Sequence, residues 1–119
     1  MIDAIEELKN SGKVIVDEDH DWGYQLRFVN EKEYCGKFLV LVNDIPGSFH
    51  SHRVKKETFI VLYGEVAVEG YVRKEWLGVG EMCTIEPGEY HMMMANVVPC
   101  IVLEVSTHDE DSDTYRIKD

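Results

Sequence analysis

Three histidines and one glutamate, spread over two short stretches, have the types and spacing to hold a divalent cation. The first stretch runs Gly47-Ser48-Phe49-His50-Ser51-His52-Arg53-Val54-Lys55-Lys56-Glu57, and the second Pro87-Gly88-Glu89-Tyr90-His91. His50 and His52 are two residues apart, so on a strand both side chains leave one face, with Phe49 and Ser51 on the other. Glu57 follows a short basic, turn-like segment at the start of the next strand. A hairpin returning there brings its carboxylate beside the two imidazoles, and Glu57, Phe59, Val61 and Tyr63 then share a face. His91, Met93 and Ala95 share a face further on. One histidine on a strand is ordinarily a satisfied or surface residue. Four donors flanked by the Gly64 and Pro87-Gly88 turns meet a single geometric requirement instead. Three neutral imidazoles and a carboxylate make a mixed N/O set suited to one divalent transition metal: Mn, Zn, Fe, Co or Ni. Four protein donors leave one or two coordination positions open for a substrate.

Strands must position these groups. Ile2, Ile5 and Leu8 have helical spacing and Ser11-Gly12 offers a stop, which predicts one short N-terminal helix. No later stretch sustains that period. Strand-like segments follow at Lys13–Val16, Tyr24–Val29, Lys37–Val42, Ser48–Arg53, Thr58–Leu62, Glu65–Arg73, Met82–Ile85, Tyr90–Ala95 and Cys100–Val105, punctuated by glycine and proline turns. Many short strands with few helices predict an all-β sandwich or barrel. The 119 residues suit one domain spanning 1–119, with no internal repeat. The run from His108 to Asp113 reads as a solvated acidic end.

The chain carries 12 basic residues against 23 acidic ones, a net charge of −11. That balance argues against a phosphate-backbone partner, so no nucleic acid is expected. No apolar run approaches the roughly 20 residues of a membrane helix. Met1 to Gly12 lacks the basic start and apolar centre of a signal peptide. Cys35, Cys83 and Cys100 cannot all pair within one chain and sit in or beside strands, which predicts buried free thiols. A cytoplasmic location is the expectation.

The two stretches resemble the paired motifs of the cupin superfamily. The first fits from His50 through His52, Glu57 and Gly64, although Gly47 lies closer to His50 than the usual glycine. In the second, Pro87 and Gly88 are adjacent and Asn96 falls one residue late. No departure touches a donor. The resemblance implies a jelly-roll β-barrel with the metal inside, held by His50, His52, Glu57 and His91, and a homodimer. Trp22-Gly23-Tyr24, the His-x-His-x-x-Lys-x-Glu pattern with Lys55, and Glu104-Val105-Ser106-Thr107 followed by Glu110 to Arg116 are similar to the sugar-isomerase branch. That branch includes proteins like D-lyxose isomerase and type II phosphomannose isomerase. The likeness implies aldose–ketose isomerisation of a small sugar or sugar phosphate through a metal-stabilised enediolate, with Glu104 and Lys55 as catalytic residues.

The residues themselves leave alternatives open. Val102, Glu104 and Ser106 share a face; turned inward, Glu104 is costly to bury without a metal or lysine beside it. Turned outward it is a solvated carboxylate, and a core salt bridge is equally ordinary. Lys55 is either a solvated member of the basic cluster or an ammonium at the cavity mouth. Asp113 and Arg116 have the i,i+3 spacing of a structural ion pair. Trp22 and Tyr24 read as core or dimer-interface aromatics. Of Met92, Met93 and Met94, only Met93 is expected to approach the cavity. Phe59, Tyr63 and Met93 would plug a purely structural barrel. Oxygen chemistry, as in cupin dioxygenases, and non-catalytic metal or sugar binding remain as alternative functions.

Overall fold

The computed structural model describes residues 1–117. Helix α1 (Ile2–Lys9) is followed by β1 (Ile15–His20), β2 (Gly23–Asn30), β3 (Cys35–Leu41), β4 (His50–Ser51), β5 (Glu57–Gly70), β6 (Lys74–Leu77), β7 (Met82–Ile85), β8 (His91–Ser106) and β9 (Tyr115–Arg116), with one 3-10 turn at Asp111–Asp113. The expected all-β jelly roll with a short N-terminal helix is the observed architecture.

The sheet is organised by its two longest strands. β5 and β8 pair antiparallel from Glu57↔Ser106 to Gly70↔His91. The C-terminal half of β8 also pairs with β3, which continues to β2 and β1. Its first residue, His91, pairs with His50 of β4, which β9 flanks on the other side. β7 lies along the first half of β5 and β6 along the second. The ribbon thus belongs to one sheet at one end and to the facing sheet at the other. Two segments expected as separate strands on each arm are single bent strands here. The bend in β5 lies at register shifts between Val61 and Val66. Gly64 sits there at φ 79°, and a Cβ would meet the Pro99 carbonyl oxygen at 2.5 Å. Only glycine takes that backbone without strain. The same shift turns Tyr63 out of phase with Phe59 and Val61, so it faces solvent rather than the interior.

The core between the sheets is built from alternate residues, among them Leu39, Leu41, Phe59, Val61, Val66 and Val102. A second cluster on the outer face (Leu26, Val40, Ile101) is covered by Ile5 of α1. All three cysteines are free and buried, as expected. Among the described residues no helix is long and apolar enough to cross a membrane.

Candidate metal centre

One cavity of about 730 Å³ opens between the sheets. At its floor His50, His52, Glu57 and His91 each offer a donor atom, and these atoms lie within 4.8 Å of one another. His50 comes from the two-residue strand β4, His52 from just beyond it, and Glu57 and His91 from the first positions of β5 and β8. His91 Nε2 lies 2.9 Å and His52 Nε2 3.7 Å from Glu57 Oε1. The His50 and His91 rings are 4.5 Å apart between centroids.

The imidazoles are oriented from behind. His50 Nδ1 faces the Ser48 carbonyl at 2.8 Å, His52 Nδ1 the Asp113 carbonyl at 3.1 Å, and His91 Nδ1 the Glu89 carbonyl at 3.0 Å. A carbonyl only accepts, so each ring carries its proton on Nδ1 and presents the Nε2 lone pair to the cavity. With all three rings neutral and protonated on Nδ1, the buried Glu57 Oε1 has no hydrogen-bond donor. Four acceptors therefore converge with no donor among them. In the cation-free protein the 2.9 Å approach favours an extra proton on His91. Burial lowers the affinity of that ring for the proton, and Glu57 more than restores it. Burial and the neighbouring His91 push His50 down to about 4, so it is neutral at pH 7. Neutral imidazoles with fixed Nδ1–H bonds are the arrangement that metal-ligating histidines adopt. The donor set fits one divalent transition cation.

Against this cluster lies a second one of opposite character. Lys55 Nζ contacts Asp109 Oδ1 at 3.0 Å, Glu57 Oε2 at 3.2 Å and Glu104 Oε2 at 3.4 Å. Lys37 Nζ contacts Asp109 Oδ2 at 3.1 Å and Glu104 Oε2 at 3.7 Å. Lys55 and Glu104 are each only 4% exposed. Burial, then the charge of Glu57, pushes the Glu104 carboxyl above the usual carboxylate range, against the pull of both lysines. Burial would lower Lys55, but Glu104, Glu57 and Asp109 outweigh it and raise it.

Several sequence readings change here. Lys55 is buried and points into the cavity rather than joining the solvated basic cluster. Glu104 faces inward. The run from His108 to Asp113 is not simply a solvated end, because Asp109 reaches the two lysines. Asp113 does not pair with Arg116; its carboxylate accepts from the backbone N–H groups of Arg53, Val54 and Lys55. Trp22 lines the cavity, stacked on His20, while Tyr24 packs in the outer cluster. Met93 and Phe59 line the cavity as expected, without filling it. Lys37 and Asp109 were missed. Lys37 had a signal: it stands in phase with Leu39 and Leu41 on an apolar strand, where a lysine must find buried carboxylates.

The fold and the floor of this cavity define a class. No protein-family model matches the chain. Solved structures similar to it include an RmlC-like cupin from Shewanella frigidimarina (TM-score 0.74, 14% identity, 85% of this chain and 89% of that one). Oxalate decarboxylase from Bacillus subtilis is also similar (TM-score 0.79, 15% identity, 89% of this chain and 31% of that one). The protein has the cupin fold. In sequence it is 34% identical over 124 residues to the D-lyxose/D-mannose isomerase of Thermosediminibacter oceani, a match covering 78% of this chain and 68% of that protein. The chain belongs to the family of that isomerase.

Proposed function

We propose that the protein is a metal-dependent aldose–ketose isomerase acting on a small neutral sugar, with His50, His52, Glu57 and His91 as metal ligands. The observation that carries this reading is the placement of Glu104, buried and held above its usual pKa, in the same cavity as the four converging acceptors. A divalent cation in that set supplies Lewis-acid polarisation of a sugar carbonyl. Glu104 takes the proton from C2 of the open-chain aldose and returns it to C1. Its raised pKa brings it toward the range of an effective general base. Lys55 donates a proton to O1 as the carbonyl becomes a hydroxyl, and recovers one from O2 as the ketone forms. The bonds and protons balance without a further reactant.

The charges around the cavity favour a neutral sugar over a phosphorylated one. Both lysines are already taken up by carboxylates, and the remaining lining carries Asp17, Glu18, Asp19, Asp21 and Asp111 against Arg27 and Arg116. The name of the related isomerase makes D-lyxose and D-mannose the first substrates to try. Conversion to the corresponding 2-ketoses is the test, run without oxygen and with each candidate metal. Conversion that requires oxygen, or sugar binding without turnover, would sink the proposal. The reading extends to a single cupin domain over 1–119, working in the cytoplasm, where three buried free thiols stay reduced. It also includes a homodimer, which the exposed Ile15 and Val16 on edge strand β1 favour.

A further inference from the structure

Strand β4, which carries His50 and leads directly into His52, is only two residues long, and one later segment, residues 107–117, holds it on the side away from β8. β9 pairs with β4 at His50↔Arg116 and Ser51↔Tyr115, and Ile117 N–H donates to the Phe49 carbonyl. At the other end, Thr107 N–H donates to the Lys56 carbonyl and Lys56 N–H to Thr107 Oγ1. Between these anchors lies Asp113, which touches the ligand set in two ways. Its main-chain carbonyl accepts from His52 Nδ1 at 3.1 Å. Its carboxylate receives three successive backbone N–H groups, from Arg53 (3.0 Å), Val54 (3.2 Å) and Lys55 (2.9 Å). Those three residues lie in the four-residue turn, Arg53 to Lys56, between His52 and Glu57. One side chain thus fixes the connection between two of the four donors, and the same residue's backbone fixes the direction of one of them.

We infer that Asp113 is a positioning residue for the metal site: it sets cation affinity by holding His52 and the Arg53–Lys56 turn in the geometry that brings His52 and Glu57 together. The inference rests on the reading of the four acceptors as metal ligands. Groups that orient ligands from behind typically change metal affinity by about 10–100-fold when removed. A carboxylate has acceptor capacity for all three N–H groups, whereas an amide replaces one acceptor oxygen with a donor. Asp113→Asn should therefore sit between the wild type and Asp113→Ala.

The test is titration of the metal-free full chain with Co²⁺, followed by visible absorption and calorimetry, at a temperature where every variant is folded by circular dichroism. Asp113→Ala should weaken Co²⁺ binding by about 10–100-fold and alter the absorption bands, with Asp113→Asn intermediate. Glu110→Gln, on the same segment but facing solvent, should bind as the wild type does. A purely structural role would lower the melting temperature and leave affinity and spectrum of the folded protein unchanged; that result overturns the inference. Should Asp113→Ala fail to fold, wild-type affinity in Asp113→Asn overturns it equally. A wild-type protein that binds no Co²⁺, Mn²⁺ or Zn²⁺ overturns both the inference and the metal reading, whereas intact binding without sugar turnover removes only the isomerase proposal.

Discussion

The cavity floor holds two polar clusters built on opposite plans. With their rings neutral, His50, His52 and His91 present lone pairs to one another and to Glu57, whose buried Oε1 then has no donor. Lys37, Lys55, Glu104 and Asp109 alternate charge, and Asp109 joins both ammoniums at 3.0 and 3.1 Å. The first set is incomplete within the protein, and the second largely neutralises itself. Lys55 touches both, through Glu57 at 3.2 Å and Glu104 at 3.4 Å. Unsatisfied acceptors mark a place for something from outside, whereas matched charges hold the wall and tune the carboxylate left with the longest contacts. That carboxylate is Glu104.

The contrast can be broken first by kinetics. Glu104→Gln is expected to lower isomerase turnover by about 10²–10⁴-fold, the usual worth of a general base. Co²⁺ affinity should stay near the wild-type value. Parallel loss of metal binding would mean that the two clusters act as one. Asp109→Ala tests the self-neutralised set. Leaving two buried ammoniums short of a partner should destabilise the protein by about 3–5 kcal/mol in urea unfolding.

Acid should reduce the Asp109 contribution in a defined window. Burial would raise this carboxyl, but Lys37 and Lys55 outweigh it and hold it well below its ordinary 3.8. A depressed carboxylate contributes stability in full above the unfolded-state value, and loses it as pH falls through the folded one. The stability gap between wild type and Asp109→Asn should thus be constant near neutrality and narrow below about pH 4. A gap that widens on acidification would contradict the assignment. The smallest effect belongs to the acceptor set. His50→Ala should change the stability of the metal-free protein by about 1 kcal/mol or less, since a half-buried ring hydrogen-bonded to its near neighbour Ser48 is removed. The same variant should lose most of its Co²⁺ affinity.

The two clusters also differ in how far the sequence reveals them. His50, His52, Glu57 and His91 can be read because alternation places the first pair on one face and turn residues bracket the others. Lys55 and Glu104 can be named, but whether they face water depends on how the sheet rolls, and no local pattern encodes that. Asp109 is harder still. It follows the last long strand in an acidic run, and reaches the lysines because Asn30 holds it. The Asn30 side chain donates to the Asp109 carbonyl and accepts from its N–H. Strand lengths were misjudged for a related reason. Gly64 and Pro99 look like ends of strands, yet the long-range pairing of β5 with β8 carries both chains through them.

That long ribbon has a mechanical consequence. The 14-residue β5, laid straight, would span about 45 Å at some 3.3 Å per residue. Glu57 stands at one end of its ladder with β8 and His91 at the other, yet their side-chain atoms approach to 2.9 Å. An ion gripping both would act as a clasp on a coiled spring. Removing it should let amide hydrogens at the two far tips exchange faster in concert, while those near the Gly64 bend keep their protection.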